Sequence, residues 1–276
     1  MSPSPARNLT GRNVFITGAA SGIGRATAVA CAKQGAILFL TDIDAGRLVE
    51  AAAEVTDAGS AAGGTVAWSQ AGDISDRETV ETMARDIEAQ HGAMDIIMNV
   101  AGIAEWGTIS AMPHEGWQRL IDVNLMGPIH VMEYFVPAMV DAGRGGHVVN
   151  VSSAAGIIGM PWHAAYSASK FGLRGASEVL RFDLRKHHIR VSLVCPGGVD
   201  TGLTSTIRIA GVDKDSRRFQ KSLERFRSHA VTPEQAADAI LRGMRRGRYW
   251  IYTSLDIRLV HSLQRHLEPV YVLAMR

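Results

Sequence analysis

Asn13-Val14-Phe15-Ile16-Thr17-Gly18-Ala19-Ala20-Ser21-Gly22-Ile23-Gly24 carries an apolar run into a glycine turn, and Arg25-Ala26-Thr27-Ala28-Val29-Ala30 continues it as a helix. Strand, glycine turn and helix in that order open a βαβ unit. Apolar runs recur at 36–41, 65–69, 94–99, 146–151, 190–194 and 249–253, with helix-length stretches between them. Continuous rather than alternating hydrophobicity predicts strands covered on both faces, and helical connections predict parallel pairing with right-handed crossovers.

The expected architecture is therefore α/β: a single Rossmann-like domain with a doubly wound parallel sheet of about seven strands and helices on both faces. Helix starts agree with it. Ser75-Asp76-Arg77-Glu78 has capping-box spacing, and Thr232-Pro233-Glu234-Gln235 has a cap, an early Pro and a Gln at the third position. No repeat or linker divides the chain, and the Ala/Gly-rich stretch 58–64 reads as a helix-to-strand turn.

With 46% apolar and 20% charged residues in 276, the chain can bury a full core. No run reaches the roughly 18 apolar residues of a spanning helix, and residues 1–7 lack the apolar segment of a secretion signal. The expectation is a soluble, cytoplasmic protein. Cys31 and Cys195 have neither metal-ligand spacing nor a paired framework, so they read as reduced packing residues and no metal site is expected. Net charge is +2, divided as −5 over residues 1–200 and +7 over 201–276. Acidic residues interrupt the basic end and no recognition motif accompanies it, which argues against a nucleic-acid partner.

Gly18, Ser21, Gly22, Ile23 and Gly24 occupy the turn where backbone N–H groups and a helix N-terminus can cradle a pyrophosphate. The spacing is Gly-x3-Gly-x-Gly rather than the commoner G-x-G-x-x-G. Asp42 closes the second strand, 18 residues after Gly24, where a carboxylate can accept hydrogen bonds from an adenosine ribose. It would also repel a 2′-phosphate, and neither Ser21 nor Ile43 is basic, so NAD is favoured over NADP.

Tyr166 and Lys170, four apart, share one face of a helix. A nearby ammonium and an oxidised nicotinamide favour the phenolate, which lets Tyr166 exchange a proton with an alcohol at neutral pH. Ser153 ends the strand 146–151 and its loop, where ligands meet a parallel sheet, and can donate to an oxygen whose charge changes.

Taken together, 17–24, Asn99-Val100-Ala101-Gly102, Asn124, Ser153, Tyr166-x3-Lys170 and Pro196-Gly197-Gly198-Val199-Asp200-Thr201 resemble the short-chain dehydrogenases/reductases, from about residue 13 to 254. The resemblance implies that Asn124 holds a water in a proton relay to Lys170. Lys170 would also bind the nicotinamide ribose, and Ser153 would steady substrate. Asp73 and Ile74 would touch adenine, and Asn99, Ala101 and Gly102 would flank the adenosine ribose. Pro196, Gly197, Val199 and Thr201 would border the nicotinamide, Val199 and Thr201 holding its carboxamide. A homo-oligomer, tetramer or dimer, is implied as well. Val100 stands where a second Asn is commoner, a change that leaves a backbone contact possible.

In this family the segment after the Pro-Gly motif forms a substrate lid, here about 202–229, with Leu203, Ile207, Ile209, Val212, Phe219, Leu223 and Phe226. Glu105, Trp106, Ile157, Met160, Trp162 and His163 fall in loops the resemblance places near the nicotinamide. A small alcohol or carbonyl compound of lipophilic character is the expected substrate, with residue packing as the competing account of these side chains. The chain also continues past the family's usual end: Leu255, Leu259, Leu263 and Leu267 recur every four residues, which predicts an amphipathic tail at 255–276. Burial against its own core or a neighbouring subunit is expected ahead of membrane contact. The reading is an NAD-dependent dehydrogenase or reductase acting on a secondary alcohol or ketone. Its alternatives are an epimerase or dehydratase on the same fold and a cofactor-binding sensor without turnover.

Overall fold

The computed structural model describes residues 8–201, 208–211 and 230–275. Seven parallel strands form one sheet: β1 (Asn13–Thr17), β2 (Ile37–Asp42), β3 (Thr65–Ala71), β4 (Ile96–Asn99), β6 (Gly146–Val151), β7 (Ile189–Cys195) and β9 (Trp250–Tyr252). Their order is β3-β2-β1-β4-β6-β7-β9. β5 (Glu105–Gly107) and β8 (Arg208–Ala210) pair separately, also in parallel.

Successive residues of each central strand point to opposite faces, and both faces are buried. Val14, Ile16, Leu38, Leu40, Ile96 and Met98 pack with α1 (Gly22–Ala32), α2 (Ala45–Gly59) and α7 (Pro233–Arg245). Phe15, Phe39, Ile97 and Val148 face α3 (Arg77–His91), α5 (Gly127–Asp141) and α6 (Ala164–Asp183). Phe15 stacks on Phe135 of α5 at 4.4 Å between ring centroids. Each fully buried side chain of this size contributes roughly 1.5–3 kcal/mol, which explains why nearly unbroken apolar runs were needed.

The two sheet edges depart from the expectation of two-sided burial: β3 pairs only with β2 and is largely exposed, and β9 pairs only with β7, with Trp250 and Tyr252 half-buried. Helix starts differ as well. At α3 the cap is Asp76, whose carboxylate accepts from Glu78 N at 3.2 Å, one residue after the Ser75 start predicted from spacing. At α7 the expected capping box forms, Thr232 Oγ1 accepting from Gln235 N and Gln235 Oε1 from Thr232 N. Cys31 and Cys195 are both buried and free.

The order reverses across β1 and β4, and the crevice there is framed by the β1 glycine turn and the segment after β4. α4 (His114–Ile121) runs through a π-turn, Asp122–Met126, into α5. At the other end, α8 (Leu255–His266) and α9 (Glu268–Met275) dock on the fold through Ile257, Val260, His261 and Tyr271. The leucine spacing does not mark the docked side: Leu255, Leu259 and Leu267 are 75%, 64% and 52% exposed. No helix among the described residues is long and apolar enough to cross a membrane.

Candidate active site

Thr17, the last residue of β1, is buried and its Oγ1 accepts from both Val100 N and Ala101 N at 3.1 Å. That clamp draws the segment after β4 against the glycine turn. Gly18, at φ +68, has no room for a side chain, since a Cβ there would lie 2.8 Å from the Ala101 backbone. A Cβ on Gly24 would lie 2.0 Å from Gly18 O. The turn leaves no room for side chains where it meets the segment after β4, with Ser21 exposed at the N-cap of α1 and Ile23 packed inward. Asp42 reaches back into it: Oδ2 accepts from Ala20 N at 3.0 Å and Oδ1 from Asp44 N at 3.1 Å. Both oxygens keep lone-pair capacity for ribose hydroxyls.

On the far side of the crevice, Ser153 ends the loop after β6 and its Oγ accepts from Ala155 N at 3.1 Å. It is also hydrogen-bonded to Tyr166 on α6. Burial raises the Tyr166 phenol above its ordinary value, and the Ser153 hydrogen bond works in the opposite direction. Lys170, one turn on, is 3% exposed; its Nζ donates to Val151 O at 3.1 Å and lies 6.0 Å from the centre of the Tyr166 ring. Burial pulls this ammonium down to about 8. In the protein alone, burial therefore disfavours charge on both partners.

Asn124 is fully buried in the π-turn, with Oδ1 accepting from Ile103 N and Nδ2 donating to Ile103 O, both at 2.9 Å, and to Ser169 Oγ at 3.3 Å. Its side chain is therefore engaged in holding the segment after β4. Four residues on stands Pro128, which has no N–H to take the Asn124 carbonyl in an α-helix. Gly102 ties the halves together: a Cβ on it would lie 2.9 Å from Asn124 Oδ1 and 3.3 Å from Lys170 Nζ.

The remaining predicted contacts divide by how much of each residue is free. Pro196 O accepts from Ala154 N at 2.7 Å, and Gly197 N donates to Thr253 Oγ1 at 3.3 Å, which sets this loop beside the Ser153 turn. Val199 bridges to Val231, and a Cβ on Gly22 would lie 3.0 Å from Thr201 Cγ2, so Thr201 stands over the glycine turn. Asp73 Oδ1 is held by Ser75 N and Oγ at 2.8 and 2.7 Å. The Ile74 side chain packs beneath α5 against Gly127, and its carbonyl is hydrogen-bonded to His130 Nδ1 at 3.1 Å. The Asn99 side chain is buried too, donating to Asn150 Oδ1 at 2.8 Å, so that side chain is not free for the ribose contact expected there.

Around the Tyr166 side, His163 stacks on Trp106 at 4.5 Å and approaches Tyr166 edge-on at 6.3 Å. Glu105 is buried on Arg119 at 2.7 Å, and Ile157 packs beneath the tail, so these two pack the fold. Among the predicted lid residues only Ile209 is described, in β8; Leu203, Ile207, Val212, Phe219, Leu223 and Phe226 lie outside the described residues. Spacing does not reveal the Thr17 clamp or the π-turn, although a proline four residues after Asn124 is a readable signal of a break in regular helix.

The family model described as short chain dehydrogenase matches residues 12–210. The chain belongs to the short-chain dehydrogenase/reductase family, a family of oxidoreductases that bind NAD(P) and act on small molecules. It is 37% identical over 238 residues to the probable oxidoreductase EphD of Mycobacterium tuberculosis, covering 84% of this chain but only 39% of that longer protein. Against the putative oxidoreductase SadH of the same organism it is 33% identical over 95% of this chain and 92% of that one. A short-chain dehydrogenase/reductase from Burkholderia phymatum, solved in complex with NAD, superposes with a TM-score of 0.79 at 28% identity, covering 94% of this chain and 95% of that one.

Proposed function

We propose that this chain is an NAD-dependent oxidoreductase that interconverts a secondary alcohol and a ketone, with Tyr166 as general acid and base. The observation that carries the reading is the convergence of Ser153, Tyr166, Lys170, Asn124 and Gly102 beside a glycine turn too tight for side chains. A binding protein without turnover needs only the turn.

The cradle fits a dinucleotide: Gly18, Ser21, Gly22, Ile23 and Gly24 hold the pyrophosphate, and Asp42 the adenosine ribose. Asp73, Ile74, Asn99, Ala101 and Gly102 line the adenosine side, and Pro196, Gly197, Val199 and Thr201 the nicotinamide side. Bound NAD supplies the hydride acceptor for alcohol oxidation, and its reduced form the donor for ketone reduction. Ser153 Oγ holds the substrate oxygen. Tyr166 Oη takes the hydroxyl proton as the carbonyl forms and returns it in the reverse direction. Lys170 keeps the phenolate accessible by its charge and binds the nicotinamide ribose. The Asn124 main-chain carbonyl, freed by Pro128, holds the water that links Lys170 to solvent. Asp42 supports NAD over NADP because its carboxylate repels a 2′-phosphate, and the NAD complex of the Burkholderia relative accords with this.

Trp106, Met160, Trp162 and His163 near Tyr166 support a lipophilic substrate. The exposed side of α6, with Phe171, Val179 and Phe182, supports assembly into a homo-oligomer. Following cofactor absorbance across a panel of alcohols and ketones tests the reaction. Tyr166→Phe is expected to lose roughly 10²–10⁴-fold in turnover while NAD binding persists. A variant that turns over at the native rate rules the mechanism out.

A further inference from the structure

Tyr271, in α9, has no part in the proton chemistry, yet it touches the loop that joins Ser153 to Tyr166. Its hydroxyl accepts from Gly159 N at 2.7 Å and donates to Gly159 O at 3.0 Å, across 112 residues of chain. One phenol thus takes both polar groups of a single exposed residue, which water would otherwise satisfy. Beneath the pair, Ile257, Val260 and Tyr271 pack with Ile157, Ile158 and Met160. The far end of the same loop is fastened separately, Gly107 N of β5 donating to Trp162 O at 2.8 Å.

Between these fastenings Trp162 sits at φ +67, a left-handed conformation that a bulky side chain adopts only when its surroundings impose it. The next residue, His163, lies between Trp106 and the Tyr166 ring. A loop free to relax would let Trp162 return to an ordinary conformation and carry His163 away from Tyr166.

We infer that Tyr271 is a positioning residue, and that the tail fixes the 157–163 loop as a wall of the substrate pocket and so sets substrate affinity. This rests on the dehydrogenase reading for the word substrate, and on geometry alone for the latch. The tail's position over this loop gives it a role that its outward leucines do not explain.

Tyr271→Phe keeps the ring and its packing and deletes both hydrogen bonds. In the full chain, amide exchange of peptides spanning 157–163 is expected to quicken about tenfold, as loss of two exposed hydrogen bonds implies. NAD affinity stays within about twofold. KM for an alcohol found in the panel rises about fivefold or more with kcat nearly unchanged, the signature of lost ground-state positioning. Unchanged exchange overturns the latch. Faster exchange with unchanged KM overturns the pocket-wall role. If neither the native chain nor any variant turns over an alcohol or ketone, the redox reading and the pocket-wall role fall together, and the exchange result alone decides the latch.

Discussion

Lys170 is buried and its ammonium is held at about 8 by that burial, against 10.5 for a free lysine. At about pH 7 it is charged in both folded and unfolded chains, so the folded state carries a cost of about 3 kcal/mol. Between about pH 8 and 10.5 the folded chain releases its proton first, the unfolded chain binds more protons, and stability rises with pH from this group. Lys170→Met removes the cost but leaves Val151 O without its donor, a penalty of about 1 kcal/mol. The variant without cofactor should therefore be about 1–2 kcal/mol more stable than the native chain near pH 7. Its advantage should shrink by about 2 kcal/mol near pH 9.5. Urea unfolding of both proteins at the two pH values measures this, since other titrating groups cancel in the difference. Saturating NAD should stabilise the native chain more than the variant, which lacks the proposed ribose ligand. A variant less stable than the native chain by the same amount at both pH values would refute the argument, because a buried charge cannot then be what Lys170 costs.

Asp42→Ala should weaken NAD and narrow its preference over NADP by about tenfold or more in cofactor titrations, and unchanged selectivity would remove Asp42 from the ribose site. Gly24→Ala places a Cβ where Gly18 O stands, so NAD binding should fall by at least about tenfold in the same titration. Equal affinity would mean that the turn does not need its tightness. His147 is buried, hydrogen-bonded to Ser192 Oγ at 2.8 Å, and lowered to about 3 by burial with a smaller contribution from Arg190. Below about pH 6.5 the unfolded chain takes up a proton that the folded chain refuses, so stability falls as pH drops, by about 3 kcal/mol at pH 4.5. His147→Gln should flatten that acid limb in denaturant titrations, and an unchanged slope would show that other groups govern it.

Local pattern carried most of the fold. The six later apolar runs all became strands, and four of them lie inside the sheet, where burial on two faces leaves no alternation to misread. The runs at 65–69 and 249–253 are edge strands, which share with buried ones a propensity for β-branched and aromatic residues, and only the partner count separates them. β5 and β8, three residues each, are too short for periodicity to reveal. In the candidate site, the placement of Tyr166 with Lys170 and of the glycine turn was legible because it depends on spacing along one helix or one turn. The leucine repeat does not mark the side that docks on this chain's own fold, because a four-residue period reports amphipathicity without saying which side faces it. In α8 the docked side is made by Ile257, Val260 and His261, the last bonded through Nδ1 to the Tyr252 hydroxyl at 2.8 Å.

Behind the crevice a chain of buried amides decides how its two halves stand. Asn99 and Asn150 are register partners on β4 and β6; Asn99 Nδ2 donates to Asn150 Oδ1 at 2.8 Å and Asn150 Nδ2 to Ser177 Oγ at 2.9 Å. Ser177 then donates to Leu173 O at 2.7 Å on α6, the helix that bears Tyr166 and Lys170. Apolar residues of like volume would hold these elements at lower desolvation cost, but they would tolerate sliding. A directional chain from β4 through β6 to α6 does not. It fixes the segment that carries Ala101 and Gly102 against the helix that carries Tyr166 and Lys170. The separation between the glycine turn and Tyr166 is thereby set in the core, away from the residues proposed to do the chemistry.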